Sequence, residues 1–170
     1  MQELFITGNT RSSVFDEVET YLTSFIRICY IDNSRPWGGF FTIDENDTDI
    51  FIQKYYPSLN RQSLSISGKL SPKILLVEPG KKLSWQYHHR RAEIWKVIAG
   101  KAMTVTSDTD KEMNQKVLKC GDIVELRQGE RHRLIGLDEW GIIAEIWRHT
   151  DPANPSDEED IVRVRDDFGR

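Results

Sequence analysis

The sequence predicts a mainly β protein, a sandwich or jelly-roll barrel carrying an N-terminal helix and a short helical insertion. Two observations lead there. From Lys73 onward, short apolar or alternating runs recur at 73–78, 83–88, 92–99, 101–107, 115–119, 122–127, 131–137 and 141–148, rich in the Val and Ile that strands favour. Turn signals separate them: Pro79-Gly80, Gly100, residues 107–111, Gly121-Asp122, Gln128-Gly129-Glu130 and Asp138-Glu139. Many short strands at regular spacing are the signature of an all-β sandwich or barrel. A length of 170 residues suits one domain.

Ahead of the strands, Val14, Phe15, Val18, Tyr21, Leu22, Phe25 and Ile26 fall at helical spacing, predicting an amphipathic helix over 12–27. Ser12 or Ser13 is the expected N-cap, and Asp16 and Glu17 suit the positive end of the helix. The run 28–31 reads as a strand, and 32–39 as a break dense in turn residues. Residues 44–72 read as an irregular insertion, with a short helix over 47–56 stopped by Pro57. Residues 1–34 are thus expected as a helical extension packed on a barrel of residues 35–170. The tail, 151–170, carries seven acids against three bases, and its residues 161–164 read as a last edge strand.

Composition narrows the partners. The formal net charge is −4, from 23 basic and 27 acidic residues, which argues against a nucleic-acid binder. The run Ile74-Leu75-Leu76-Val77 is far short of the ~20 apolar residues a membrane helix needs, so no membrane span is expected. Cys29 and Cys120 are too few for a disulfide scaffold, and Cys120 is expected as a small buried filler. Residues 1–6 do not read as a secretory signal, so a cytoplasmic location with free thiols is expected. Within the acidic chain, residues 81–100 set Lys81, Lys82, Arg90, Arg91 and Lys96 against Glu93 alone, and Arg131 and Arg133 flank His132.

The chemistry concentrates in two glycine-bounded segments. The first is Gly80-x5-Gln86-x-His88-x4-Glu93-x6-Gly100. Strand alternation puts Ser84, Gln86 and His88 on one face, and Trp85, Tyr87 and His89 on the other. After the turn, Glu93, Trp95 and Val97 share a face, so a hairpin can bring Gln86, His88 and Glu93 together inside a barrel. The second, Gly121-x5-Arg127-x-Gly129-x2-His132-x3-Gly136, adds one imidazole. Two imidazoles, a carboxylate and an amide oxygen suit a divalent transition metal with open coordination positions. Ordinary surface or core histidines are the alternative. His89 is expected to be exposed, and His149 to lie in a polar turn without a functional role. The tryptophans are expected to pack the core, with Trp37 fastening its segment to the barrel.

These spacings resemble the two motifs of the cupin family, with Gln86 replacing the first His, Arg127 the Pro and Gly136 the Asn. The chain also resembles the isomerase half of type II mannose-6-phosphate isomerases, often fused to a mannose-1-phosphate guanylyltransferase. Three stretches carry that likeness: Arg35-Pro36-Trp37-Gly38; the run from Pro79 to Trp95, including Gln86-Tyr87-His88-His89-Arg90-Arg91-Ala92-Glu93; and the end, Glu158-Glu159-Asp160-Ile161-Val162-Arg163, then Asp166, Phe168, Gly169 and Arg170. The resemblance implies a cupin-type double-stranded β-helix with Gln86, His88, Glu93 and His132 as metal ligands. Zinc is the metal it implies, while Mn, Fe, Co or Ni suit the same donors. The implied reaction interconverts mannose 6-phosphate and fructose 6-phosphate. Glu145, a carboxylate on an apolar strand, is the candidate base. Arg91 is the first candidate for substrate contact and Arg163 the second, with Ser84 and Lys96 added, although strand parity turns Lys96 away from Glu93. Ile94 stands where the family has a His, an expected loss of a polar group near the site. A non-catalytic cupin that binds a sugar or sugar phosphate, or a cupin enzyme of other chemistry, is the alternative. The domain is expected to stand without a guanylyltransferase partner, for which 170 residues leave no room. A homodimer through exposed strand edges is a further expectation.

Overall fold

The structure, a computed structural model, describes residues 3–66 and 68–169; Arg170 of the terminal motif lies outside them. Helix α1 spans Arg11–Thr23 and buries Val14, Phe15, Val18 and Leu22, the stripe the sequence predicts. Its N-cap is Thr10, not Ser12 or Ser13. The extended Thr10 accepts from the Ser13 N–H while Ser13 Oγ accepts from the Thr10 N–H, closing a reciprocal box. Glu17 serves the preceding segment rather than the helix end, accepting from the Thr7 and Gly8 amides.

The polar stretch after residue 31 is a hairpin, not a break. Strand β1 runs Ile28–Arg35 and β2 Gly38–Ile43, joined at Pro36-Trp37. Asp32 makes the polar end workable: its carboxylate accepts from the Ser34 amide and hydroxyl where the pairing bulges. Gly38 has φ 138°, and a Cβ there would meet Leu76 O at 2.0 Å.

The insertion holds a short 3-10 turn, Glu45–Asp47, then α2, Thr48–Tyr55, and α3, Arg61–Leu64. It is packed rather than loose. Phe51, Ile52, Tyr55, Tyr56, Leu64 and Leu70 are buried, and the Tyr56 hydroxyl donates to Ala144 O at 2.7 Å. The remaining strands are β3 (Lys73–Val77), β4 (Trp85–Tyr87), β5 (Arg91–Ala99), β6 (Lys101–Ser107), β7 (Asn114–Lys119), β8 (Ile123–Leu126), β9 (Arg131–Gly136), β10 (Gly141–His149) and β11 (Val162–Arg165).

They form two antiparallel sheets, β1-β2-β3-β10-β5-β8 and β11-β4-β9-β6-β7, a jelly-roll pair. Trp37, Phe40, Leu75, Val77, Trp95, Val97 and Leu134 pack between them. The outer face of the first sheet is buried too, under α1 and the insertion, through Ile74, Leu76, Ile94, Ile142, Ala144 and Ile146. Burial on both faces explains why β3 and β10 read as unbroken apolar runs rather than alternating ones. The last strand pairs with β4 at a sheet edge, as 161–164 predicts. Cys120 corrects an expectation: it is exposed, because it lies in the turn between β7 and β8 rather than on an inward face. Among the described residues no helix is long and apolar enough to cross a membrane.

Candidate metal centre

Register builds the site. On β5 and β10, Glu93 faces Trp147 and Trp95 faces Glu145; on β3, Lys73 stands opposite Glu145. Glu93, Trp95, Glu145, Trp147 and Lys73 therefore share the inward face of the first sheet. In the facing sheet Arg163, Gln86 and His132 stand in one row. His88 lies in the turn that leaves β4.

His88, Glu93 and His132 are buried, with ligand atoms all within 4.8 Å of one another. His88 Nε2 is 3.1 Å from Glu93 Oε1, and His132 Nε2 is 3.5 Å from Glu93 Oε2. Main-chain carbonyls fix both tautomers: Asp160 O lies 2.6 Å from His88 Nδ1, and Glu130 O 2.9 Å from His132 Nδ1. A carbonyl can only accept, so Nδ1 carries the proton in each ring and Nε2 presents its lone pair inward. Burial lowers the His88 pKa against the pull of Glu93, favouring neutral imidazole. Burial works to raise Glu93, but the facing His88, the Arg91 guanidinium and His132 hold it well below the usual carboxylate range. Glu93 Oε2 and His132 Nε2 have no hydrogen-bond partner, although both are buried. Two inward lone pairs without a donor between them are costly as they stand and fit a cation.

Glu93 of this cluster lines a cavity of about 160 Å³. Gln86 enters it, its Oε1 accepting from Ser84 Oγ at 2.6 Å. Arg91 lines it but is tied down: it donates to Glu93 Oε1 at 2.7 Å, to Ser156 Oγ at 2.9 Å and to Asp157 O at 3.0 Å, over the Trp147 ring. Arg163 lines it from β11. Glu145 is clamped by two indoles, Trp95 Nε1 at 2.9 Å and Trp147 Nε1 at 3.0 Å. Burial, followed by the Glu93 charge, pushes its pKa up to about 7.

Several expectations need correction. Lys96 is on the opposite face of β5, donating to Tyr55 O at 2.7 Å, and takes no part in the cavity. Ile94 also faces outward, into the core under the helices, so it takes no polar group from the site. His149 is buried rather than in a polar turn. Its Nδ1 accepts from the Ser156 amide at 3.0 Å, and burial pushes it down to about 4. Arg133 is buried and paired with Glu112 and Asp167, both at 2.8 Å. His89 is exposed, as strand parity predicts. The motif departures have local reasons. A Cβ at Gly136 would meet Glu78 O at 2.1 Å, and the Arg127 amide, which a proline would lack, donates to Glu130 at 2.8 Å.

Lys73 is a site residue that the sequence reading missed. It is buried, with its ammonium 4.0 Å from the Trp147 ring centroid and 4.9 Å from that of Phe40, and it pairs with Glu158. The signal was present: a lysine opening an apolar strand, in phase with inward Leu75 and Val77. A larger groove, about 970 Å³, opens beside the N-terminal segment and includes Tyr55, Lys96 and Trp140. It lies apart from the His-Glu-His cluster.

Two antiparallel jelly-roll sheets around an inward His-Glu-His group define a cupin. The chain belongs to the family described as mannose-6-phosphate isomerase C-terminal, whose model matches residues 43–166. A mannose-1-phosphate guanylyltransferase of Escherichia coli is 31% identical over 136 residues, 80% of this chain and 22% of that protein. The alginate biosynthesis protein AlgA of Pseudomonas putida is 39% identical over 70 residues, 39% of this chain and 14% of that protein. The chain thus spans about a fifth or less of these relatives' lengths. Among solved structures, the capsular polysaccharide assembling protein CapF of Staphylococcus aureus superposes with TM-score 0.56 at 14% identity, covering 81% of this chain and 34% of that one. The oxalate decarboxylase of Lactobacillus farciminis gives TM-score 0.53 at 16% identity, over 82% and 34%. At such identities the likeness is one of fold.

Proposed function

We propose that this domain is a metal-dependent aldose–ketose isomerase of sugar phosphates, acting on mannose 6-phosphate and fructose 6-phosphate. Family membership supports the substrate class. The observation that carries the chemistry is Glu145, a carboxylate clamped by two indoles, with a pKa raised to about 7, lining the same cavity as Glu93 of the His-Glu-His group. A general base works best when its pKa lies near the operating pH.

Gln86, His88, Glu93 and His132 would hold the metal; zinc is the proposed ion, with Mn, Fe, Co or Ni suited to the same donors. When bound, it supplies a Lewis acid that polarises the carbonyl and stabilises enediolate charge. Glu145 takes the proton from C2 of the open-chain aldose and returns it to C1, while the O2 hydroxyl proton passes to O1. The two indole N–H groups fix each carboxylate oxygen yet leave it a lone pair for that proton. Arg91 aims Glu93 and keeps it ionised. Arg163 and Lys73 supply positive charge for the phosphate, and Ser84 orients the Gln86 amide. The buried walls Trp95, Trp147 and Leu75 exclude water.

A coupled assay with metal-loaded protein tests the reading: mannose 6-phosphate should yield fructose 6-phosphate. Glu145→Gln should cut kcat by about 10²–10⁴-fold with KM little changed. A fully metallated wild type that binds mannose 6-phosphate without turning it over would instead be a non-catalytic sugar-phosphate binder.

A further inference from the structure

The segment after β10 crosses the mouth of the cavity. It is pinned on both sides of Glu158. Upstream, Ser156 Oγ and Asp157 O accept from Arg91 at 2.9 and 3.0 Å. Downstream, the Asp160 carboxylate accepts from the His89 and Arg90 amides at 3.1 and 2.9 Å. Between these anchors Glu158 leans into the cavity and pairs with Lys73.

The two partners differ in their need for each other. The Lys73 side chain is 6% exposed, whereas that of Glu158 is 64% exposed. An ammonium buried between aromatic rings requires an anion, because water cannot replace one. An exposed carboxylate regains hydration when it leaves. Arg35 and Arg91 are held by buried carboxylates, Arg35 donating to Asp32 at 2.7 Å and Arg91 to Glu93 at 2.7 Å, while Arg163 lines the cavity from β11. Lys73 also lies on the same inward row as Glu145. An anion held by Lys73 is therefore within one substrate's reach of the base.

We propose that Lys73 is a principal anion-binding residue of this cavity and that Glu158 holds the place of the substrate's phosphate until the phosphate displaces it. This rests on reading the cavity as a sugar-phosphate site. The exchange breaks no covalent bond. One phosphate oxygen takes the position of the carboxylate, and Glu158 turns outward while its anchored neighbours stay in place.

Titration calorimetry of the whole chain with inorganic phosphate, mannose 6-phosphate and mannose tests it, with tryptophan fluorescence as a second readout through Trp147. Glu158→Gln should bind both phosphates about fivefold more tightly and leave mannose unchanged. Lys73→Met should weaken both phosphates by about tenfold or more and cancel the gain in the double variant. Equal or weaker phosphate binding by Glu158→Gln, or an equal gain for mannose, would overturn the proposal. Should Lys73→Met not fold, the exposed Glu158→Gln substitution decides alone. The two readings fail separately. Phosphate binding in this rank order without turnover keeps Lys73 and sinks the isomerase. Turnover with KM unmoved by Glu158→Gln does the reverse.

Discussion

Asp160 is not a ligand, yet its removal should be felt throughout the site. Its carboxylate accepts from the His89 amide at 3.1 Å, the Arg90 amide at 2.9 Å and the Ser156 hydroxyl at 2.7 Å, while its carbonyl accepts from His88 Nδ1 at 2.6 Å. Asp160→Ala strands all three carboxylate-bound donors. The Ser156 hydroxyl is buried, so losing its acceptor costs about 1–3 kcal/mol. The two amides lie in a turn that water can reach, and each loses about 0.5–1 kcal/mol. The total is roughly 2–5 kcal/mol, and for a chain of this size that lowers Tm by about 4–20 °C. Asp160→Asn keeps one acceptor oxygen and should lose about half as much. Displacing the carbonyl that orients His88 should also weaken metal affinity by about 10–100-fold. Thermal unfolding followed by far-ultraviolet circular dichroism, with metal content measured alongside, is the assay. Burial tends to raise the Asp160 pKa, but the Ser156, His89 and Arg90 donors outweigh it and leave it lowered. Its stabilisation is therefore full above about pH 4 and fades as pH falls through the lowered value, so the Tm gap should narrow under acid. A loss below about 2 °C at neutral pH would refute the reasoning, since water would then be serving those donors equally well.

Three further outcomes follow from the same geometry. Wild type should carry close to one divalent ion per chain, and His88→Ala should lose it while keeping its circular dichroism spectrum; retained metal by elemental analysis would remove His88 from the ligand set. Tyr56→Phe strands the Ala144 and Ile94 carbonyls that its hydroxyl serves at 2.7 and 3.2 Å, and should cost about 1–2 kcal/mol in urea unfolding. Gly136→Ala drives a methyl toward Glu78 O and should cost about 1–3 kcal/mol by the same measurement.

What the sequence determined by itself was periodic or local. The strands from Lys73 onward are legible because alternation and turn residues are set within a few positions of each other. The same holds for the stripe of α1 and for Ser84, Gln86 and His88 pointing one way. The grouping of His88, Glu93 and His132 was legible because they sit at fixed spacing on or beside strands of the two facing sheets. Parity also turned Lys96 away from Glu93, and the structure agrees. Only the tertiary structure decided the matters that depend on register between distant strands. Lys73 reaches Glu145 because β3 pairs with β10, and the Trp95–Glu145–Trp147 clamp needs β5 beside β10. The turn-rich stretch 32–35 became a strand because β2 had a partner in β3, and pairing with a sheet outweighs local propensity. His149 and Arg133 are polar by sequence and buried by packing, each held by partners far along the chain or across a turn. Spacing along a strand fixes which side chains share a face; only the pairing of strands fixes which faces meet.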